Sequence, residues 1–374
     1  HTEVFSAMSN QYEIFLRDEN KKIIGQLDGF SSLVFIRRFN AVGSWALKSS
    51  TSALALLTKK GGIVVHRNGD PFFSGDMSEF EDENGIDMTA NGDDDLGPLA
   101  GRLVLPVSSG APFVNDYDVR SAAAETAIKQ YVNLNAGPGA LADRRVHGLS
   151  IEVDKGLGIN VTGRARFDNL LVFINSLAIQ AGLGFRVNNS EFQIYKPSDK
   201  TKSIIFSTEL GTLGAYKFHE KRGKVNYIYC GGTGTGSSRV FYEKQNSDAI
   251  LSWGRFEAFI DKNNTSVAAE LAAAASEELE RQCNQVSLTF TPVVTETMRP
   301  IDDYDIGDWV TAVVRGQTIN QRVMEMKTSI DVSGAEVHEM TIGTEGQTTD
   351  LSGLSAIYSR IRGLDQRLST QERR

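Results

Sequence analysis

Cysteine is scarce. Cys230 and Cys283 are the only two in 374 residues, too few for a disulfide framework. They are able to pair in principle, but two buried free thiols is the expectation. Long apolar runs are also missing: none approaches the roughly 20 residues that cross a bilayer, and nothing at the start is laid out as a signal peptide. The first residue is His1 rather than Met, so the natural N-terminus is expected to be missing or processed. Basic residues are outnumbered, 39 Lys and Arg against 47 Asp and Glu, for a formal net charge of −8. That balance argues against tight, sequence-independent nucleic-acid binding, which needs Lys and Arg clustered on one face. An acidic surface can still line a passage through which DNA moves, because repulsion prevents sticking.

The spacings that carry chemistry are missing as well. Residues 231–238, GGTGTGSS, lack the Lys-Ser or Lys-Thr of a phosphate loop, and the G-x-G-x-x-G pattern is not completed. They read as a flexible hairpin tip between strands 224–230 and 239–244. Asp93-Asp94-Asp95 and the acidic run 79–83 do not follow a calcium-loop order and read as solvated loops. Asp302, Asp303, Asp305 and Asp308 are denser, and Gly307-Asp308 is explained by a turn before a strand. His1, His66, His147, His219 and His338 are scattered, with no metal-ligand spacing among them. No nucleophile elbow appears, and nothing nominates a pair of carboxylates. Trp45, Trp253 and Trp309 each sit where a strand or helix core would use them, so core is favoured over sugar binding. No catalytic residue, cofactor or metal is therefore assigned, and the chain is not expected to be an enzyme.

What is present is strand and turn. Residues 24–47, IGQLDGFSSLVFIRRFNAVGSWAL, predict two short strands joined by a turn, then a Gly-marked bend into a third. Asn68-Gly69 stands between two apolar runs and can supply the positive φ angles of a two-residue hairpin. Asn84-Gly85 and Asn91-Gly92 predict two more turns before a strand at Arg102 to Leu105, and residues 106–112, PVSSGAP, mark a boundary. Residues 119–135 have helical composition, with Ala123, Ile128, Tyr131 and Val132 on one face, and AGPGA at 136–140 stops the helix. A strand pair is expected around Ile151 to Gly163. Asp168 is placed to cap a helix from Asn169 that buries Leu170, Leu171, Ile174, Leu177 and Ala178 and ends at Gly182 or Gly184. A hairpin then crosses Asn188-Asn189. Strands return from about 202, a long helix runs from about 263–266 to Arg281, and VSLTFTP at 286–292 alternates as a strand. Further strands are expected at Trp309 to Val314, Thr318 to Met326, Ser329 to Val332 and Val337 to Ile342.

The domain organisation expected is 11–105, a first antiparallel β-barrel domain; 113–200, a compact α+β domain; 202–247 with 299–345, a second β-barrel domain; 248–298, a helical insertion; and 350–374, a C-terminal amphipathic helix. The fold class is α+β and β-rich, spread over several domains. In the last segment, Leu354, Ile357, Ile361, Leu364 and Leu368 recur three and four apart. Leu at a with Ile at d leans toward oligomers above a dimer, while Gly363 costs about 1 kcal/mol relative to Ala. A seam between chains and a helix packed on its own chain both fit that spacing.

These blocks, taken in order, resemble a known family: the tail-tip or baseplate hub proteins of tailed bacteriophages, the tail-associated "Tal" class. The resemblance rests on Ile24 to Leu47, with Arg37-Arg38-Phe39-Asn40 and Val42-Gly43-Ser44-Trp45, and on Ile63 to Gly75. It continues in Tyr131 to Gly137, Arg166 to Leu171, and Tyr229 to Gly232 through Ser238-Arg239. Each motif is weak alone; their order along nearly the whole chain carries the likeness. The resemblance implies a structural virion protein at the tail tip, a homotrimer whose two barrels per chain present six similar units to a sixfold tube. The implied partners are tail-tube proteins, the tape measure protein and a tail-tip fibre or spike, with DNA passing without tight binding. A receptor- or cell-wall-carbohydrate-binding tail protein is the alternative, and a tail-associated cell-wall hydrolase the third reading.

Overall fold

The computed structural model describes residues 11–106, 115–263, 265–283 and 285–343. They fall into two compact units: one of residues up to 215 together with 290–341, the other of residues 216–289 together with 342 onward. Among the described residues, no helix is long and apolar enough to cross a membrane.

The first unit is built on a large, mostly antiparallel sheet. Its strands run, edge inward, Ile23–Gln26, Tyr12–Arg17, Gly62–Arg67, Asp70–Glu83, Asp87–Asp94, Ala41–Ser50, Ser32–Arg38, Gln317–Asp331 and Glu336–Gly343. The expected Asn68-Gly69 hairpin is there: Arg67 faces Asp70, with φ of +55° and +89° at the two turn residues. Asn40 (φ +52°) turns the chain between the Ser32–Arg38 and Ala41–Ser50 strands. The predicted bend at Gly43 is instead strand interior, opposite an irregularity in register at Ile36 to Arg38. A Cβ there would strike the Ile36 carbonyl oxygen.

Asn91-Gly92 is likewise no turn. It lies inside the strand Asp87–Asp94, and Gly92 is required for close approach rather than for bending. A Cβ at Gly92 would meet the Trp45 indole nitrogen at 2.6 Å, and one at Gly75 would meet it at 2.7 Å. The two glycines thus make a slot for Trp45, which is buried with Phe35, Leu47, Ile63, Met77 and Ala90.

The pairing that organises this unit joins strands far apart in the sequence. Ser32–Arg38 pairs with Glu325–Asp331, so residues nearly three hundred apart in sequence share a ladder. The predicted strands 318–326 and 329–332 are one strand, Gln317–Asp331; its first part pairs with Trp309–Val314 and its second with Ser32–Arg38. Among the described residues neither strand set closes into a barrel. The outer edge of Ser32–Arg38, which closure of the first set would need, is occupied by Gln317–Asp331.

An α+β layer within the same unit holds the second core. Helices Ala124–Asn135 and Leu170–Ala181 bury Ile128, Tyr131, Val132, Leu170, Leu171, Ile174 and Leu177 against Phe185 and Phe192. Residues 118–123 form a strand rather than the start of the helix, pairing with Asn160–Ala165. The expected pairing within 151–163 does not occur, because Ser150–Ile151 runs parallel to Glu191–Tyr195 instead. Asn169, not Asp168, caps the second helix by accepting from the Val172 amide, and Gly182 ends it at φ +66°. The following hairpin turns through Asn189 and Ser190, one residue beyond the predicted pair. Arg102 to Leu105 contributes only an isolated bridge, Leu103 with Asn169. The buried Asn40 side chain ties this layer to the sheet, donating to the Leu183 carbonyl (3.1 Å) and accepting from the Phe185 amide (2.8 Å).

The second unit contains a three-stranded sheet ordered Phe241–Gln245, Tyr227–Gly231, Glu257–Asp261. The helix Ala268–Gln282 covers one face of it, packing Leu271, Ala275 and Leu279 against Val225, Ile228 and Cys230. Cys230 and Cys283 are both buried, and neither is joined in a disulfide among the described residues. The Gly-rich segment is the loop between Tyr227–Gly231 and Phe241–Gln245, as predicted.

Candidate functional site

The positions with most charge chemistry in the first unit are structural fasteners. Arg17 is among the largest fully buried side chains, and its strand Tyr12–Arg17 carries it beside the end of Asp87–Asp94. Its guanidinium grips both oxygens of Asp95 and donates to Asp76 at 2.8 Å, while Lys21 pairs with Asp76 and Ser74 Oγ donates to Asp95 at 2.5 Å. Burial pushes the Asp95 carboxyl up, but Arg17, Lys21 and Ser74 outweigh it and hold it below the usual carboxylate range. Burial pulls Arg17 down, yet Asp95 and Asp76 hold it above its ordinary value. Next to them, burial pushes Asp94 up to about 7, against the opposing amides of Gly43 and Leu96.

The dense aspartates of 302–308 form a second fastening. Asp302 takes a two-pronged contact from Arg67 (2.8 and 3.0 Å), and Asp305 one from Arg37 (3.1 and 2.7 Å). Both guanidiniums stand over the Phe72 ring, at 5.9 and 4.5 Å from its centre. Asp303 is bound by Arg299, and Asp308 accepts from the Ser198 and Asp305 amides. The Arg67 contact lowers Asp302 below its usual value. Tyr12 adds a bond to Glu336 at 2.6 Å. Together these contacts bind residues 299–308 and 336 to strands near the N-terminus. The loop is held by bonds from cations, and its carboxylates are not gathered toward a shared point.

Other nominated positions are dispersed. His66 lies tilted against Phe15 with ring centres 4.6 Å apart, His147 bonds Asn20, and buried His338 bonds Thr328. Among the described residues no group of three or more His, Cys, Asp or Glu is arranged to hold a metal ion. Of the three tryptophans only Trp45 is core; Trp253 and Trp309 are 39% and 38% exposed. Trp309 is the exposed first residue of an otherwise largely buried strand, and Arg322 lies over it. The candidate oligomer positions Leu354, Ile357, Ile361, Leu364 and Leu368 lie outside the described residues.

One surface in the second unit went unnominated. Phe241 and Phe259 are more than half exposed, and the Arg239 guanidinium lies beside both rings. On the neighbouring strand Tyr229 is half-buried and Tyr227 is buried beneath Arg255, so the run 227–230 carries no polar–apolar alternation that would reveal an exposed face.

Comparison with known proteins agrees with this architecture. The chain shares its fold with a 43 kDa tail protein of prophage MuSo2 from Shewanella oneidensis, at 15% identity and a TM-score of 0.58, covering 89% of this chain and 97% of that one. The prophage tail protein gp18 from Listeria monocytogenes EGD-e matches at 12% identity and 0.58, covering 94% and 99%. A tail protein from Neisseria meningitidis MC58 matches at 11% and 0.58, covering 90% and 97%. No curated protein matches the sequence. Residues 13–344 match the Siphovirus ReqiPepy6 Gp37-like protein family, and the chain belongs to that family.

Proposed function

We propose that this chain is a structural hub at the distal end of a phage tail tube, working as a homotrimer. The observation that carries the reading is the ladder between Ser32–Arg38 and Glu325–Asp331, reinforced by the Arg37–Asp305 and Arg67–Asp302 ion pairs. It makes a rigid frame from the two ends of the described sequence, with strand sets on either side of one join. In a trimer those two sets per chain act as barrel-like lobes, presenting six positions to a sixfold tube and three to the tip. The partners are then tube proteins, the tape measure protein, and a fibre or spike below. The acidic balance supports passage of DNA without adhesion.

Side-chain chemistry agrees with a mechanical role. The buried charges of the first unit are spent on one another, as in Arg17 with Asp95 and Asp76. Breaking such a pair leaves an uncompensated buried charge, so the frame resists partial opening. The test is copy number in purified tails, measured by quantitative mass spectrometry against the tube protein. Three copies per tail are expected, and a single copy would overturn the hub reading.

A further inference from the structure

The open face of the three-stranded sheet in the second unit is a built surface of aromatic rings and paired charges. Three cross-strand rows compose it: Gln245–Tyr227–Glu257, Glu243–Tyr229–Phe259 and Phe241–Gly231–Asp261. Phe241 and Phe259 are 54% and 53% exposed, with ring centres 6.5 Å apart. Arg239 lies over Gly231, where a Cβ would meet its guanidinium at 2.7 Å, and donates to the Gly231 and Gly232 carbonyls and to Asp261. Arg255 lies 3.6 Å from the centre of Tyr227, donates to the Tyr229 hydroxyl and pairs with Glu257. Tyr227 donates to Glu243. The polar groups are thus held in fixed orientations before any ligand arrives.

Charge and size narrow the occupant. Two guanidiniums, Arg239 and Arg255, meet three carboxylates, Glu243, Glu257 and Asp261. That balance gives no attraction for a polyanion such as nucleic acid. Three strands about 4.8 Å apart and five residues at about 3.3 Å give a platform of roughly 14 by 17 Å. Its footprint, on the order of 240 Å², falls well short of the roughly 800 Å² per partner of a stable protein–protein interface. A short row of sugar rings fits both limits. A pyranose offers an apolar C–H face to an aromatic ring and hydroxyls to carboxylates and guanidiniums. The Gly-rich loop adds exposed Thr235 and Ser237 at the Phe241 end, fastened to the platform by Arg239.

We propose that this face binds a short stretch of uncharged polysaccharide, with sugar rings on Phe241 and Phe259 and hydroxyls donating to Glu243 and Asp261. The proposal stands apart from the hub reading, which enters only in choosing a cell-wall-type sugar as one probe. Calorimetric titration of the full chain with N-acetylchitohexaose and with cellohexaose tests it. At least one is expected to bind, with Kd rising tenfold or more in Phe241→Ala/Phe259→Ala and held within a few-fold in Phe241→Tyr/Phe259→Tyr. Circular dichroism checks that each variant is folded; if the alanine pair is not, Glu243→Gln/Asp261→Asn is expected to weaken binding by a similar factor. Failure of the wild type to bind either sugar, or folded variants that bind as well as wild type, would overturn the proposal. So would self-association that the phenylalanine variants abolish while no sugar binds. None of these outcomes alters the copy number on which the hub reading rests.

Discussion

At the scale of single residues, the side chains that matter most are buried charges rather than reactive groups. Removing Arg17 by Arg17→Ala strands Asp95, which is only 5% exposed. The expected loss is about 3–5 kcal/mol, read as a lowered urea midpoint. Asp95 and Asp94 impose opposite pH dependences. Asp95 is held below its ordinary value, so its contribution is present at neutral pH and is lost as pH falls below about 4. Asp94, pushed up to about 7, retains its proton in the folded state, so stability falls as pH rises from about 4 through 7. Urea titrations across that window should show the Asp94 slope in the wild type and its loss in Asp94→Ala.

At the scale of elements, glycine and asparagine decide the geometry. Gly69→Ala forces an L side chain to φ +89° and is expected to cost about 1–2 kcal/mol. Gly92→Ala drives a Cβ into the Asp76 carbonyl and the Trp45 ring, with an expected cost of roughly 1–3 kcal/mol or more and a change in Trp45 fluorescence. The same pair shows what the sequence discloses and what it hides. Asn-Gly means a turn only where the flanking runs are free to reverse. At 68–69 they are, whereas at 91–92 the strand passes between two neighbours and the glycine makes room for an indole from the next strand. Local signals located the helix Leu170–Ala181 and narrowed its end to Gly182 or Gly184, of which Gly182 takes the left-handed C-cap, because apolar spacing and capping glycines are written within a few residues. The cap itself was misplaced by one residue, since Asp168 and Asn169 both offer a side-chain oxygen and only the backbone geometry chooses between them. Asn169→Ala should cost about 1 kcal/mol through the lost cap, and more through its bond to the Ala100 carbonyl.

At the scale of the whole molecule, the decisive contact was not legible. Pairing of Ser32–Arg38 with Glu325–Asp331 is a choice between sheet edges of similar composition, and nothing near either strand in sequence encodes it. The aspartates of 302–308 drew notice as a cluster, but their partners Arg67 and Arg37 stand more than 230 positions away. These pairs are partly exposed, so each is worth little in water, and their combined effect should be screened by salt. Asp302→Asn/Asp305→Asn is expected to lower Tm modestly at low salt and to reduce the dependence of Tm on ionic strength. The central claim is that three copies of this frame encircle the tail axis, and cryo-electron microscopy of intact tails at the distal end tests it most directly. The account predicts threefold density in which each chain sets its two strand-rich lobes alternately around the lumen. A single copy, or copies lying outside the tube wall with no lumen between them, would contradict it.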